Sequence, residues 1–78
     1  MENKRDICVI AAEIKKDWKN VYFGAVPYLQ AMFCLNTVDE DFGFDSGKSI
    51  VLYFLSNANS WRGEVAKRVK KELKEMVK

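Results

Sequence analysis

The fold is decided by the stretch Ser49-Ile50-Val51-Leu52-Tyr53-Phe54-Leu55-Ser56, whose six central residues form the longest uninterrupted apolar run in the chain. An apolar run without polar alternation has no side that faces solvent, so it must be covered on most sides. We therefore expect this stretch to be the central element. If it is a helix, replacing Leu52 or Phe54 with alanine should cost about 2 to 5 kcal/mol of stability.

The same stretch has the length and the residue types of a buried strand, so its composition does not distinguish a strand from a helix. A strand needs partners, and the only other strand-like segment is Val21-Tyr22-Phe23, which Gly24 and Pro27 interrupt. A two-stranded sheet is marginal in water. Asp45 or Ser46 can cap a first helical turn, and the polar segment after Leu55 can end a helix. The sequence thus favours a central helix over residues 46–57.

Three further helices are predicted around this one. Apolar residues at three- and four-residue spacing indicate a helix over 4–19, whose apolar stripe ends on Trp18 at the core edge. Pro27 fits the first turn of a second helix over 27–36, with Asn36 as a left-handed terminating residue. A basic last helix over 61–76 has a buried apolar stripe opposite its lysines. Since 78 residues are too few for two cores, we expect one compact all-α four-helix domain over 1–78.

The composition argues against catalysis and metal binding. The chain has no histidine, the commonest general base and metal ligand. Cys8 and Cys34 form no zinc motif and are expected to be small buried residues of a protein in a reducing compartment. We therefore predict no enzymatic activity, no metal and no cofactor. The charged N-terminus is unlike a signal peptide and no apolar segment could cross a bilayer, which predicts a cytoplasmic protein without a membrane partner.

The acidic segment over 37–46 resembles two known ligand-binding loops only superficially. A calcium loop that opened at Asp39 would need glycine in place of Phe44 and a carboxylate in place of Ile50. The glycine, lysine and serine that follow Asp45 resemble a phosphate-binding loop that is one residue too short and has no preceding parallel strand. We expect instead a solvated acidic loop with Phe42 and Phe44 packed beneath it.

The apolar content predicts an interaction protein. With 49% hydrophobic and 13% aromatic residues, the chain has more apolar surface than one small core can enclose. A homodimer or a protein partner would cover the surplus. Aromatic and arginine side chains dominate binding energy at interfaces, so Trp61, Arg62 and Tyr22 are the candidate anchors.

Two other functions are open. The central helix and the last helix could form a helix-turn-helix that binds nucleic acid. Its phosphate contacts would be Arg62, Lys67, Lys70, Lys71 and Lys74. The net charge of only +2 and the acidic loop argue against that alternative. A small ligand could also bind to Trp61, Arg62 and the nearby asparagines, although Trp61 could equally be a plug over the core beneath the turn.

Four segments of the chain resemble short proteins encoded by phages, prophages and gut bacteria. They are Lys16-Asp17-Trp18, Tyr22-Phe23-Gly24-Ala25-Val26-Pro27-Tyr28-Leu29, Tyr53-Phe54-Leu55-Ser56-Asn57-Ala58 and Trp61-Arg62-Gly63-Glu64. The resemblance covers most of the chain and implies an origin in a mobile element. For an interaction protein, it leaves open modulation of a host or defence system and a housekeeping role. The group has no assigned activity, so the resemblance transfers no functional residue.

Overall fold

A computed structural model describes residues 5–78, which form four helices and one small hairpin. In chain order the elements are α1 (Ile7–Asp17), α2 (Val26–Met32), β1 (Asp41–Phe42), β2 (Asp45–Ser46), α3 (Gly47–Ser56) and α4 (Glu64–Met76). The mostly helical architecture is confirmed, and the hairpin is a small addition to it. Residue 4, the predicted start of the first helix, lies outside the described residues, but Arg5 and Asp6 are described and are not helical, so this helix begins later than predicted, at Ile7.

The decisive apolar stretch is helical, and α3 contacts α2, α4 and the hairpin. Its N-cap is Ser46, whose hydroxyl oxygen accepts a hydrogen bond from the Ser49 amide at 3.1 Å. The expectation that the run is covered on most sides holds for only part of it, because Leu52 is 43% and Tyr53 46% exposed. Successive residues of a helix are rotated by about 100°, so the side chains of a continuous apolar run point in all directions. Those that point away from the neighbouring helices remain in solvent. The loss of stability predicted for replacement with alanine therefore applies to Phe54, which is buried, and not to Leu52.

The end of α2 and the start of α4 also differ from the predictions. After α2 the chain continues in tight turns, in which the Cys34 amide donates to the Ala31 carbonyl oxygen at 2.9 Å. Asn36 does not adopt the predicted left-handed conformation, since among the described residues only Gly43 and Gly63 have a positive φ. Gly63, with φ of 113°, precedes α4, so this helix begins three residues later than predicted.

The core is built from one apolar side of each helix and from two tryptophans. Its buried members include Ile7, Ile10, Ile14, Trp18, Leu29, Met32, Leu35, Ile50, Val51, Phe54, Trp61, Val69 and Leu73. This confirms Trp18 at the core edge and the apolar stripe of α4. The expected burial of both cysteines is wrong, because Cys8 is partly exposed and Cys34 exposed. In the turn after α2, Leu35 takes the core position in place of Cys34. Across residues 5–78, no helix has the length and apolarity that crossing a membrane requires.

The segment expected to be an irregular loop forms the hairpin. Asp41 pairs with Ser46 and Phe42 with Asp45, so Gly43 and Phe44 make the two-residue turn. Both phenylalanines are exposed rather than packed beneath the loop. The amide of Gly47 donates to the Glu40 carbonyl oxygen, so it is already used within the protein.

Candidate functional site

The turn between α3 and α4, residues 57–63, rests on the side chain of Trp61. The indole of Trp61 stacks on that of Trp18, with ring centroids 5.7 Å apart and planes 11° apart. Its Nε1 donates a hydrogen bond of 2.8 Å to the Oδ2 of Asp17, a residue of α1. Trp61 is only 2% exposed, so its prediction as a surface anchor is wrong. Its ring fills the core beneath the turn, and a ligand cannot stack on this buried ring.

The backbone of this turn is fixed by α4. The Nζ of Lys70 donates a hydrogen bond of 2.6 Å to the carbonyl oxygen of Trp61 and lies 5.9 Å from the centroid of its ring. Partial burial lowers the pKa of Lys70, and the nearby charges of Lys74 and Arg62 lower it further. These contacts hold the turn to the core on one side and to α4 on the other. The side chains that point outward from it are therefore presented on a stable support.

Two grooves flank the turn. The first, which we call the aromatic groove, has a volume of about 320 Å³ and is lined by Tyr22, Ser56, Asn57, Asn59 and Ser60. The second, the cationic groove, has a volume of about 570 Å³ and is lined by Asn59, Trp61, Arg62, Gly63, Glu64, Ala66, Lys67 and Lys70. Asn59 lies between the two grooves. Tyr22 and Arg62, which are far apart in sequence, are thus brought to two sides of one turn.

The position of Tyr22 depends on Gly24. The Tyr22 ring is 44% exposed, and its centroid lies 4.8 Å from that of Phe23. A Cβ atom on Gly24 would lie 2.6 Å from the Tyr22 ring and 2.9 Å from the Oδ1 of Asn57. Only glycine therefore lets the ring approach the end of α3 this closely. Sequence reasoning missed the roles of Gly24 and Phe23, although a glycine directly after two aromatic residues is a signal for such an approach.

Three polar side chains on the two sides of the turn are free to bind. Within residues 5–78, the side chains of Asn59, Ser60 and Arg62 form no hydrogen bond or ion pair with the protein. Asn57 is different, because its Nδ2 donates to the Tyr53 carbonyl oxygen at 2.9 Å. The aromatic groove therefore offers an aromatic ring, an amide and a hydroxyl, and Arg62 offers a guanidinium in the groove on the other side of the turn. Groups of this kind bind a partner by packing and hydrogen bonding.

The basic residues fall into two sets. Arg5 lies 2.8 Å from Glu13 and 2.6 Å from Glu72, and Arg68 also pairs with Glu13. These pairs tie α4 to α1. They raise the pKa of Arg5 above its ordinary value and lower that of Glu13, for which the hydrogen bond from Arg68 is the largest cause.

The second set of basic residues has no acidic partner in the part of the chain that the structure describes. It contains the residues predicted to contact nucleic acid, Arg62, Lys67, Lys70, Lys71 and Lys74. The first three line the cationic groove. Lys71 and Lys74 are exposed further along α4.

Comparison with protein-family models, with curated proteins and with solved structures finds no match to this chain. Among residues 5–78, no three histidine, cysteine, aspartate or glutamate side chains are grouped so that they could hold a metal ion. The candidate site therefore rests on the geometry of the turn.

Proposed function

We propose that this chain is a small interaction protein that binds a protein partner through the α3–α4 turn, with Tyr22 and Arg62 as its anchors. The observation that carries the proposal is that these two side chains line the two grooves that flank one turn, which Trp61 supports from beneath. Arginine and large aromatic residues contribute most of the binding energy at protein interfaces. A surface that is already ordered also loses less conformational entropy on binding.

The polar residues of the turn support the same function. Asn59 and Ser60 have exposed side chains beside Tyr22, where they can form hydrogen bonds to a partner of variable shape. Tyrosine, serine and asparagine are the residues that antibody binding loops use for this purpose. The resemblance to phage and prophage proteins supports a bacterial host or defence-system protein as the partner. The function we propose is therefore recognition of such a protein.

The test measures how binding depends on the two anchors. Proteins from a bacterial lysate that are retained by the tagged chain are identified and purified, and their affinity is measured by calorimetry. We expect Tyr22→Ala and Arg62→Ala each to weaken binding about 30-fold or more, since truncating an interface anchor costs roughly 2 kcal/mol. Both side chains are exposed, so the melting temperature should change little.

The controls are Phe33→Ala and Lys16→Ala, which remove an exposed aromatic residue and an exposed cation away from the turn. Both variants should bind like the wild-type chain. If every retained protein binds the Tyr22 and Arg62 variants as tightly as the wild type, the proposal is wrong.

Nucleic-acid binding remains the alternative, because five cations near or on α4 lack an ion pair within residues 5–78. Contacts of Lys71 and Lys74 with phosphates would make affinity for duplex DNA fall steeply with salt. Each lysine replaced by alanine would reduce the slope of log affinity against log salt by about 0.9. Tight DNA binding at physiological salt with this dependence would favour the alternative over a protein partner.

A further inference from the structure

The tip of the hairpin exposes apolar surface within an acidic environment. Phe44, in the turn, is fully exposed, and no described residue covers its ring. The side chains of Asp39, Asp41 and Asp45 around it are exposed as well. We call residues 39–46 the acidic hairpin. An exposed phenylalanine is unfavourable in water and would be stabilised by a partner that buries it.

The cationic groove has the complementary properties. Arg62, Lys67 and Lys70 line the groove and supply positive charge, and an aromatic ring packs favourably against such cations and their methylene stems. Partial burial is the main cause of the lowered pKa of Lys70, and the neighbouring charges of Lys74 and Arg62 lower it further. Glu64 is the single acid among the lining residues. A negatively charged segment with an apolar side chain would therefore relieve the repulsion and fill the groove.

The acidic hairpin of one molecule cannot reach its own cationic groove. The hairpin directly precedes α3, and the groove begins beyond the other end of this helix. The ten residues of α3 span about 15 Å. The end of α4 confirms this arrangement, because Met76 lies beside Val38 and Asp39 while the start of α4 lines the groove. The two complementary surfaces are therefore available only to different molecules.

We propose that the acidic hairpin of one copy docks into the cationic groove of a second copy, with Phe44 inserted in the groove and Asp41 and Asp45 facing Arg62 and Lys67. The contact is head-to-tail, so in a pair of copies one copy keeps a free groove and the other keeps a free hairpin. Such contacts produce closed rings or open chains rather than a two-fold dimer. The predicted self-association of this protein would then depend on charge as well as on apolar area.

A second copy fits the groove better than a nucleic acid does. Phosphates would satisfy the cations but would leave Phe44 exposed, whereas the hairpin satisfies both surfaces in one contact. The net charge of +2 is small, so two copies do not repel each other strongly overall. The proposal does not depend on a partner at Tyr22.

Analytical ultracentrifugation of the purified chain over a wide concentration range tests the contact. The average mass should rise with concentration and fall when salt is added, because salt screens exposed charges. Phe44→Ala should weaken association about 30-fold or more, as expected for an interface anchor. Phe33→Ala, which removes another exposed phenylalanine, should leave it unchanged. A wild-type chain that stays monomeric at every concentration overturns the proposal and leaves the proposed protein-binding function untouched.

A charge exchange then identifies the two surfaces. The variants Asp41→Lys/Asp45→Lys and Arg62→Glu/Lys67→Glu should each be monomeric alone, because hairpin and groove then carry charge of the same sign. An equimolar mixture of the two should associate again, since each hairpin finds a groove of opposite charge. Lys15→Glu/Lys19→Glu makes the same charge change on exposed residues elsewhere and should associate like the wild type. If the mixture stays monomeric, or if Phe44→Ala associates normally, the hairpin–groove contact is wrong. Thermal melts verify that each variant is folded.

Discussion

At the carboxyl end of α3 the aromatic ring of Trp61 is buried, whereas at the amino end the ring of Phe44 is fully exposed. Both residues lie in short connections rich in polar residues, so their local sequences give no reason for this difference. Trp61 is buried because α1 supplies both a stacking ring, Trp18, and an acceptor, Asp17. No distant element supplies such contacts to Phe44 among the described residues. The comparison shows that the burial of an aromatic side chain depends on partners brought from elsewhere in the chain.

The largest expected effect compares the two aromatic residues directly. Trp61→Ala should destabilise the domain by about 3 to 5 kcal/mol, because it removes a buried ring and leaves a cavity beneath the turn. Phe44→Ala should change the free energy of unfolding by less than about 0.5 kcal/mol, as for surface substitutions in general. Urea denaturation of dilute protein, where self-association is negligible, measures both values. Equal effects of the two substitutions would contradict the difference in burial between Trp61 and Phe44 at the two ends of α3.

A smaller effect is expected at Gly47, where the hairpin joins α3. A Cβ atom there would lie 2.9 Å from the Thr37 carbonyl oxygen and 3.0 Å from that of Glu40. Because backbone atoms must shift to admit a methyl group, Gly47→Ala should cost about 1 to 3 kcal/mol. Amide hydrogen exchange should accelerate in the hairpin and remain unchanged in residues 57–63. If amide exchange accelerated equally in the hairpin and in residues 57–63, the two ends of α3 would not open independently.

The smallest effect concerns the charges that help to hold α1 against α4. Arg68 and Arg5 lower the pKa of Glu13 in the folded state, so its contribution is present above the ordinary glutamate pKa of about 4.3. The contribution is lost as the pH falls through the lowered value, because the carboxylate is then protonated in both states. The partners are partly exposed, so the whole effect should stay below about 1 kcal/mol.

The measurement compares the wild type with Glu13→Gln by urea denaturation between pH 7 and strongly acidic pH. The wild type should be more stable at neutral pH, and the difference should shrink as the solution is acidified. A difference that stays constant with pH would exclude the ion pairs as its cause.

The sequence by itself determined the helices. The spacing of apolar residues in α1 and α4, the cap at Ser46 and the proline at the start of α2 are local signals, and the structure follows them. The charge segregation was also visible in the sequence, and it identified both the acidic segment and the basic last helix. These features could be read because apolar spacing, caps and prolines are signals carried by residues within one or two turns of each other.

Only the tertiary structure decided which apolar residues face the core. Leu52 and Phe54 are equally apolar and belong to one run, but the packing of α2 and α4 against α3 buries Phe54 and leaves Leu52 exposed. The convergence of Tyr22 and Arg62 on one turn likewise depends on contacts between distant segments. Periodicity shows that a helix has an apolar side, but it does not show which distant side chain will cover each residue. That choice is made when the helices pack, and it determines which aromatic residues remain available for binding.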